Sequence, residues 1–354
     1  MTKKLILKLL LFSLGLLQII YYLTVLFSLK DYPLPPNVNE LISPYILAEK
    51  QDGFYSKRNN SLDVVFIGSS NIHCDINPNV IWDRFGITSY DFSCDQQELG
   101  TTYYYLKQVF ESQSPKVVFI DIFNGGENDE LETLQAHFAF DHMKNDKIKL
   151  EAIWNRTKKD RLEIFFPLIT YHERWKELTP ADFRYRPNQH NILNGSLINI
   201  VPWGQDAPEI PENIPQRSLH KNTIRWIKAI RQICEENNCE CIFIKTPLAF
   251  YHEPYFSYYD AFESYCDENN IPFLNFNNMI EEVGLVFADD YTDNVHMNWD
   301  GQVKFSSFLG KYIQENFQIE NKKGRPEYAQ WDEDYKSMMY YIENFWELYN
   351  KKHN

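Results

Sequence analysis

The sequence predicts an α/β fold built on a doubly wound parallel sheet, and three observations carry that prediction. Residues 62–67, Leu-Asp-Val-Val-Phe-Ile, read as a buried strand that ends at Gly68. Residues 99–112 have helical length and spacing and lead, past Pro115, into a second β-branched run at 116–123. The alternation then resumes in the second half, with helical stretches at 219–236, 255–269 and 300–316 around short strands at 241–244 and 271–274. Strand, helix, strand repeated in this way implies parallel pairing through right-handed crossovers, with helices on both faces and a flavodoxin-like winding. A further short strand is expected at 89–93.

The first thirty residues are of another kind. Residues 5–29 are almost wholly apolar, broken only by Lys8, Ser13, Gly15, Gln18, Thr24 and Ser28, and 9–29 reaches the ~20 residues a membrane helix needs. Lys3, Lys4 and Lys8 precede the run, so the positive-inside tendency sends everything after Lys30 to the far side of the membrane. A cleaved secretory signal would have a shorter apolar core, of ~7–15 residues, and a small-residue cleavage site that the 27–31 exit lacks. Residues 1–30 are therefore read as an uncleaved transmembrane anchor, and 31–60 as a stalk that begins Pro-rich. The globular domain is expected over 61–320.

Within it, 125–217 breaks the rhythm with mixed helical and loop signals, including Trp154, Trp175, Trp203 and Pro202, Pro208, Pro211 and Pro215. This is read as an insertion over the C-terminal edge of the sheet, where open α/β sheets bind ligands, with the Tyr171-His172-Glu173-Arg174-Trp175 stretch as either a substrate lid or a surface helix without a role. The tail, 321–354, places apolar residues at Met338, Met339, Tyr341, Ile342, Phe345 and Trp346, the pattern of an amphipathic helix packed on the body.

Composition narrows the function. A hydrophobic share of 44% over 354 residues supports a real core. The formal charge of −14 repels phosphate backbones and leaves no basic footprint for nucleic acid. The 23 Tyr, 25 Phe and 8 Trp pack cores in most proteins, and exposed rings would also hold sugars. Six cysteines beyond a membrane would be free to pair. Cys74 and Cys94 are expected near the ends of the first two strands, within reach of a disulfide, while buried free thiols are the equal alternative. Cys234, Cys239 and Cys241 match a zinc set only loosely, without a second ligand pair.

The chemistry is expected at two distant places. Strand 64–67 runs into Gly68-Ser69-Ser70-Asn71, which puts a serine hydroxyl where a strand turns into a helix and where backbone N–H groups would face a developing oxyanion. Serine is also an ordinary helix cap, so the position needs a partner. Asp293 and His296 lie three apart directly before the last helix, a spacing that lets the carboxylate orient the imidazole from a single loop. A serine hydroxyl needs such a base to become a nucleophile near neutral pH.

With these residues in view, the chain resembles the SGNH or GDSL-like hydrolase family. The resemblance rests on Asp63 to Ser70, on Tyr90-Asp91-Phe92-Ser93 with Gln97 and the Tyr103-Tyr104-Tyr105-Leu106 helix, and on Asp293 to Gly301. It implies Ser70 as nucleophile, His296 as base and Asp293 as its orienting acid. The branch it is similar to is membrane-anchored and includes D-alanine transfer and polysaccharide O-acetylation proteins, which implies acyl-ester chemistry on a cell-surface glycan. A membrane-bound O-acyltransferase partner follows from the same resemblance. No cofactor or metal is implied. The family's side-chain oxyanion donors are not matched: Asn124 and Asn128 both lie near the end of the third strand and neither is assigned, and Gln97 stands as the polar group expected to face the nucleophile or substrate. Two other readings are kept, a non-catalytic glycan-binding or scaffolding subunit with the same fold, and a metal-dependent hydrolase using His296 with Asp289, Asp290 and Asp293.

Overall fold

The structure, a computed structural model, describes residues 2–31, 36–43, 45–211 and 213–353. Its centre is a five-stranded, all-parallel sheet: β1 (Val64–Ile67), β2 (Ser89–Asp91), β3 (Val117–Asp121), β4 (Glu240–Lys245) and β5 (Phe273–Asn275). The spatial order is β2-β1-β3-β4-β5. Strands this apolar are stable only when covered on both faces, and the pleat divides their side chains accordingly. Val65, Ile67, Val118, Ile120 and Phe243 point into one buried cluster with the helices Leu99–Ser112, Lys221–Glu236 and Glu253–Glu268. Val64, Phe66, Val117, Phe119, Ile242 and Ile244 point into the other, against Pro78–Phe85 and Trp299–Asn316. The expected α/β layering is what forms, with strand and helix ends moved by one or two residues.

The strand order reverses between β1 and β3, whose residues pair from Val64 with Val117 to Ile67 with Ile120. Chain leaving the C-terminal ends of these two strands diverges to opposite sides, which opens a crevice there. Gly68 and Asp121 stand at its floor, and a Cβ on Gly68 would come within 2.4 Å of the Asp121 Cβ. Only glycine lets the two strand ends approach this closely.

Two sequence expectations are corrected. Residues 31–60 are not a stalk throughout: Ile46–Tyr55 is a helix in which Lys50, Gln51, Asp52 and Phe54 are all buried. The segment reads as polar loop because its charges carry no sign of their partners, which are far away in sequence; the Gln51 amide, for instance, donates to the Phe138 carbonyl over 2.6 Å. Within the same segment, 32–35 and 44 lie outside the described residues. The 171–175 stretch is not over the sheet edge as a lid. It turns against the end of the N-terminal helix, where Arg174 Nη1 donates to the carbonyls of Phe27 (2.7 Å) and Ser28 (2.6 Å).

The segment expected to be an anchor, Lys3–Phe27, is a single helix of 25 residues, long and apolar enough to cross a membrane. A helix C-terminus leaves carbonyls without partners and carries partial negative charge. Here basic groups meet them: Lys30 Nζ reaches the carbonyls of Leu26 and Ser28, each at 3.0 Å, and His142 Nε2 donates to Leu29 O at 2.7 Å. Asp182 holds both Lys30 (3.4 Å) and Arg174 (3.1 Å). In the tail, Ala329–Glu343 and Phe345–His353 are helices, with Met338 buried among Val38, Leu193 and Ile198; Trp346 stays exposed.

Candidate active site

Ser69 and Ser70 divide the labour at the end of β1. Ser69 is the N-cap of the helix Ser70–Asp75, its Oγ accepting from the Asn71 N–H, and it is fully buried. Its hydroxyl donates to Asp121 Oδ2 at 2.6 Å, and its own N–H donates to the same oxygen at 3.2 Å. The capping role is thereby taken by Ser69, which leaves the Ser70 hydroxyl at the first helical position with nothing local to satisfy.

What meets that hydroxyl is the imidazole of His296, with Nε2 at 2.8 Å from Ser70 Oγ. The other ring nitrogen, Nδ1, lies 2.8 Å from Asp293 Oδ2. Asp293 Oδ1 accepts from the N–H groups of Val295 (2.7 Å) and His296 (2.8 Å), so the loop folds around its own carboxylate. A carboxylate only accepts, so Nδ1 carries the hydrogen and Nε2 is left as the lone-pair nitrogen facing the hydroxyl. Burial pulls the His296 pKa down, but the hydrogen bond and charge of Asp293, helped by Asp75 and Asp95, more than offset it and the net shift is upward. Burial would raise Asp293, yet His296 and the two backbone N–H groups hold it below the usual carboxylate range.

The two halves of this constellation are tied together beside the reacting atoms. Asn71 Nδ2 donates to the carbonyl of Val295 at 2.9 Å and to Asp75 Oδ2 at 3.2 Å. Asp75 Oδ1 accepts from the N–H of Met297 at 2.9 Å. Residues 295 and 297 flank His296, and residues 71 and 75 belong to the Ser70 helix. Asp75 is fully buried, and burial pushes its carboxyl up to about 6, held back by His296, the Met297 N–H, Thr246 and Lys245.

A second polar group lies behind the helix Ser70–Asp75. His73 Nδ1 lies 2.9 Å from Ser93 Oγ, and Nε2 is 3.2 Å from Lys50 Nζ and 3.3 Å from Asp95 Oδ1. Lys50 and Asp95 are themselves paired at 3.4 Å. Burial, then Lys50, lowers His73 to about 4, so it stays neutral.

Of the residues expected from sequence, Ser70, Asp293 and His296 are brought together. Gln97 is not joined to them: its Oε1 accepts from the Cys94 N–H (3.0 Å) and its Nε2 donates to Thr102 Oγ1 (2.9 Å), bracing the turn between β2 and the next helix. Asn128 is exposed, and its carbonyl accepts from Arg156. Asn124 is half-buried and pairs through its backbone with Leu99. All six cysteines are free thiols, Cys74 and Cys94 included. Among the described residues no three His, Cys, Asp or Glu side chains converge as a metal site. A cleft of about 520 Å³ opens in the insertion, between Asn128 and Ile164, and none of the three residues lines it. Sequence reading missed Asp75, Asp121, Asn71 and the Lys50–His73–Asp95 group. Of these only Asp121 left a trace, as an acid at the end of an apolar strand.

No family model matches the chain, and no curated protein matches it. Among solved structures it is similar to a protein from Desulfitobacterium hafniense assigned to the lipolytic G-D-S-L family, at 13% identity and TM-score 0.38, over 70% of this chain and 97% of that one. A GDSL-like lipase from Bacteroides thetaiotaomicron aligns at 13% identity and TM-score 0.34, over 72% and 88%. A catalytic mutant of an acetylxylan esterase from Geobacillus stearothermophilus aligns at 13% identity and TM-score 0.32, over 76% and 100%. At these values a functional reading rests on the geometry of the site itself.

Proposed function

We propose that the chain is a serine-dependent acyl-ester enzyme of the SGNH type, held on a membrane by residues 1–30 and acting on an O-acetyl or similar ester of an extracytoplasmic cell-surface glycan. The observation that carries the proposal is the continuous relay from Asp293 through His296 to Ser70, with 2.8 Å at each step. Ser70 Oγ attacks the acyl carbonyl while His296 Nε2 takes its proton. Asp293 keeps the imidazole in the tautomer that can do so and stabilises the imidazolium formed. The tetrahedral intermediate collapses as His296 returns the proton to the departing alcohol, leaving the acyl group on Ser70. An acceptor hydroxyl then gives its proton to His296 and takes the acyl group, and His296 returns that proton to Ser70 Oγ as the acyl bond to it breaks. With water as acceptor the enzyme is an esterase; with a sugar hydroxyl it is a transferase. The Ser70 N–H, at the first helical position, would serve as a backbone donor to the oxyanion.

A fluorophosphonate probe on the detergent-solubilised protein, mapped by mass spectrometry, tests this. Modification of Ser70, lost in Ser70→Ala together with p-nitrophenyl acetate hydrolysis, is the expected result. A chain that takes no label would support the alternative of a non-catalytic glycan-binding subunit, and label taken equally in Ser70→Ala would place the reactive residue elsewhere and overturn the assignment.

A further inference from the structure

Among the described residues outside the anchor, eight of the fifteen exposed large apolar side chains fall in one part of the insertion, including Leu150, Trp154, Leu162, Phe165, Trp175 and Phe183. Trp154, Trp175 and Leu162 are 65%, 64% and 69% exposed. A run of uncovered aromatic and leucine side chains this dense is a binding surface in a folded protein. Its position says what it binds. Leu150, Trp154, Leu162 and Phe165 lie on Lys147–Arg156 and Arg161–Phe165, while Trp175 and Phe183 lie on His172–Lys176 and Pro180–Arg184, which with Pro167–Tyr171 pack on the anchor helix. Leu17, Ile20 and Tyr21 of the anchor share one groove with Leu150, Phe165 and Phe166, and an adjoining apolar groove continues from Leu150 and Phe165 to Trp154 and Leu162. The apolar surface of the body is thus continuous with that of the anchor.

Its charge points the same way. With the buried Lys149, Arg156 and Asp182 left out, residues 144–186 hold nine Lys and Arg against six Asp and Glu, in a chain whose net charge is −14. Two of these cations sit over the exposed rings, Arg161 4.1 Å from the Trp154 centroid and Lys176 5.6 Å from that of Trp175. Aromatic rings at headgroup depth with basic groups beside them are the composition of an interfacial segment on an anionic leaflet.

We infer that residues 147–186 form a collar around the emerging anchor, seated in the headgroup and upper acyl region of an anionic bilayer. The inference rests on reading the anchor as membrane-spanning. With the anchor's last carbonyls clamped by Lys30, Arg174 and His142, collar and helix act as one footing. That footing reaches the proposed site directly. The helix Ile46–Tyr55 starts on the Lys30 carbonyl, which accepts from Leu47 N at 3.0 Å, and one turn later its Lys50 meets His73 on the Ser70 helix. Ser70 is therefore fixed in position relative to that footing.

All eight tryptophans lie outside the anchor, so their fluorescence reports on the body alone. The full-length protein is reconstituted into phosphatidylglycerol–phosphatidylcholine vesicles with and without acyl-brominated phosphatidylcholine. The expected result is bromine-dependent quenching that is largely lost in Trp154→Phe/Trp175→Phe and unchanged in Trp346→Phe, a control for an exposed ring on the tail. Equal quenching in wild type and double variant, or no quenching while both rings remain open to aqueous iodide, would overturn the collar; the second outcome would leave that face to a protein partner. Retention of the chain in the vesicle pellet after an alkaline wash reports separately on the anchor, so loss of the anchor reading and loss of the collar are told apart. Fluorophosphonate labelling of each variant confirms that the fold is kept.

Discussion

The side-chain amide of Asn71 donates to the carbonyl of Val295 over 2.9 Å, joining the residue after Ser70 to the residue before His296. Its second hydrogen goes to Asp75, whose other oxygen takes the Met297 N–H, so a single carboxylate fixes the orientation of Asn71 and one edge of the histidine loop. The arrangement is directional, because Asp75 must accept on both oxygens. In Asp75→Asn an NH₂ group would face either the Asn71 amide or the Met297 N–H, and one tether must break. We predict that this substitution lowers kcat on p-nitrophenyl acetate by about 10²-fold, as an ångström of misplacement does, with KM little changed. A melting curve near wild type would show that the loss is one of positioning, and an unchanged kcat would refute the role.

Removing the groups of the relay should cost more. Ser70→Ala is expected to abolish fluorophosphonate labelling and lower kcat by at least about 10³-fold, leaving only what binding and backbone donors supply. Asp293→Asn keeps the shape but presents an amide that can stabilise the wrong tautomer, a change that costs about 10⁴-fold in a serine-protease triad. Asp293 is nearly half exposed here, so a loss toward the lower side, of about 10²-fold or more, is expected. Steady-state rates of the two variants against wild type measure both.

The pH profile follows from the His296 shift. The base works in its neutral form, and its pKa lies above the ordinary value of 6.5 because Asp293, then Asp75 and Asp95, outweigh its burial. The acid limb of kcat/KM should therefore rise with a midpoint above that value. Asp293→Asn, and more weakly Asp95→Asn, removes charge that favours the imidazolium and should move the limb to lower pH. The stability linked to the pair has the opposite reading for each partner. The raised His296 contributes stability below the unfolded histidine value and loses it as pH rises through its folded value; the lowered Asp293 contributes above the unfolded carboxylate value and loses it as pH falls. A limb that moves upward in Asp293→Asn would refute the assignment.

The sheet was legible because its strands are short apolar runs bounded by turn residues, and such a run has few alternatives to burial. Ser70, Asp293 and His296 were legible because each stands at an element boundary with a chemically telling neighbour. Asp75 was not, since an acid inside a short helix looks like any solvated residue until Met297, 222 positions later, supplies the N–H that justifies its burial. Lys50 was hidden in the same way by His73 and Asp95, and Arg174 by carbonyls at the end of the N-terminal helix. The Gln97 expectation failed on competition: Cys94 and Thr102, within five residues, already use the amide.

The buried ion pair between Arg156 and Glu98 shows the same competition at the scale of stability. The guanidinium lies 2.5 Å from Glu98 Oε2, with side-chain exposures of 0% and 7%, and it also donates to the carbonyls of Asp129 (3.0 Å) and Asn128 (3.4 Å). It stands over the Trp226 ring at 5.4 Å, and a Cβ on Gly100 would meet it at 2.6 Å, so the site is built to its shape. Through these contacts one residue of the insertion pins the start of the helix Leu99–Ser112 and the loop after β3. Desolvating two charges offsets most of their attraction, so the pair as a whole adds little to stability, but breaking it strands a carboxylate in the interior. Arg156→Met should accordingly destabilise by about 3–5 kcal/mol, a large part of the ~5–15 kcal/mol that holds a domain folded. In Arg156→Met/Glu98→Leu most of that loss should return, because no charge is left behind. Urea midpoints of the single and double variants decide it; a double variant no more stable than the single would mean that the carbonyl contacts and ring packing, not the stranded charge, carry the effect.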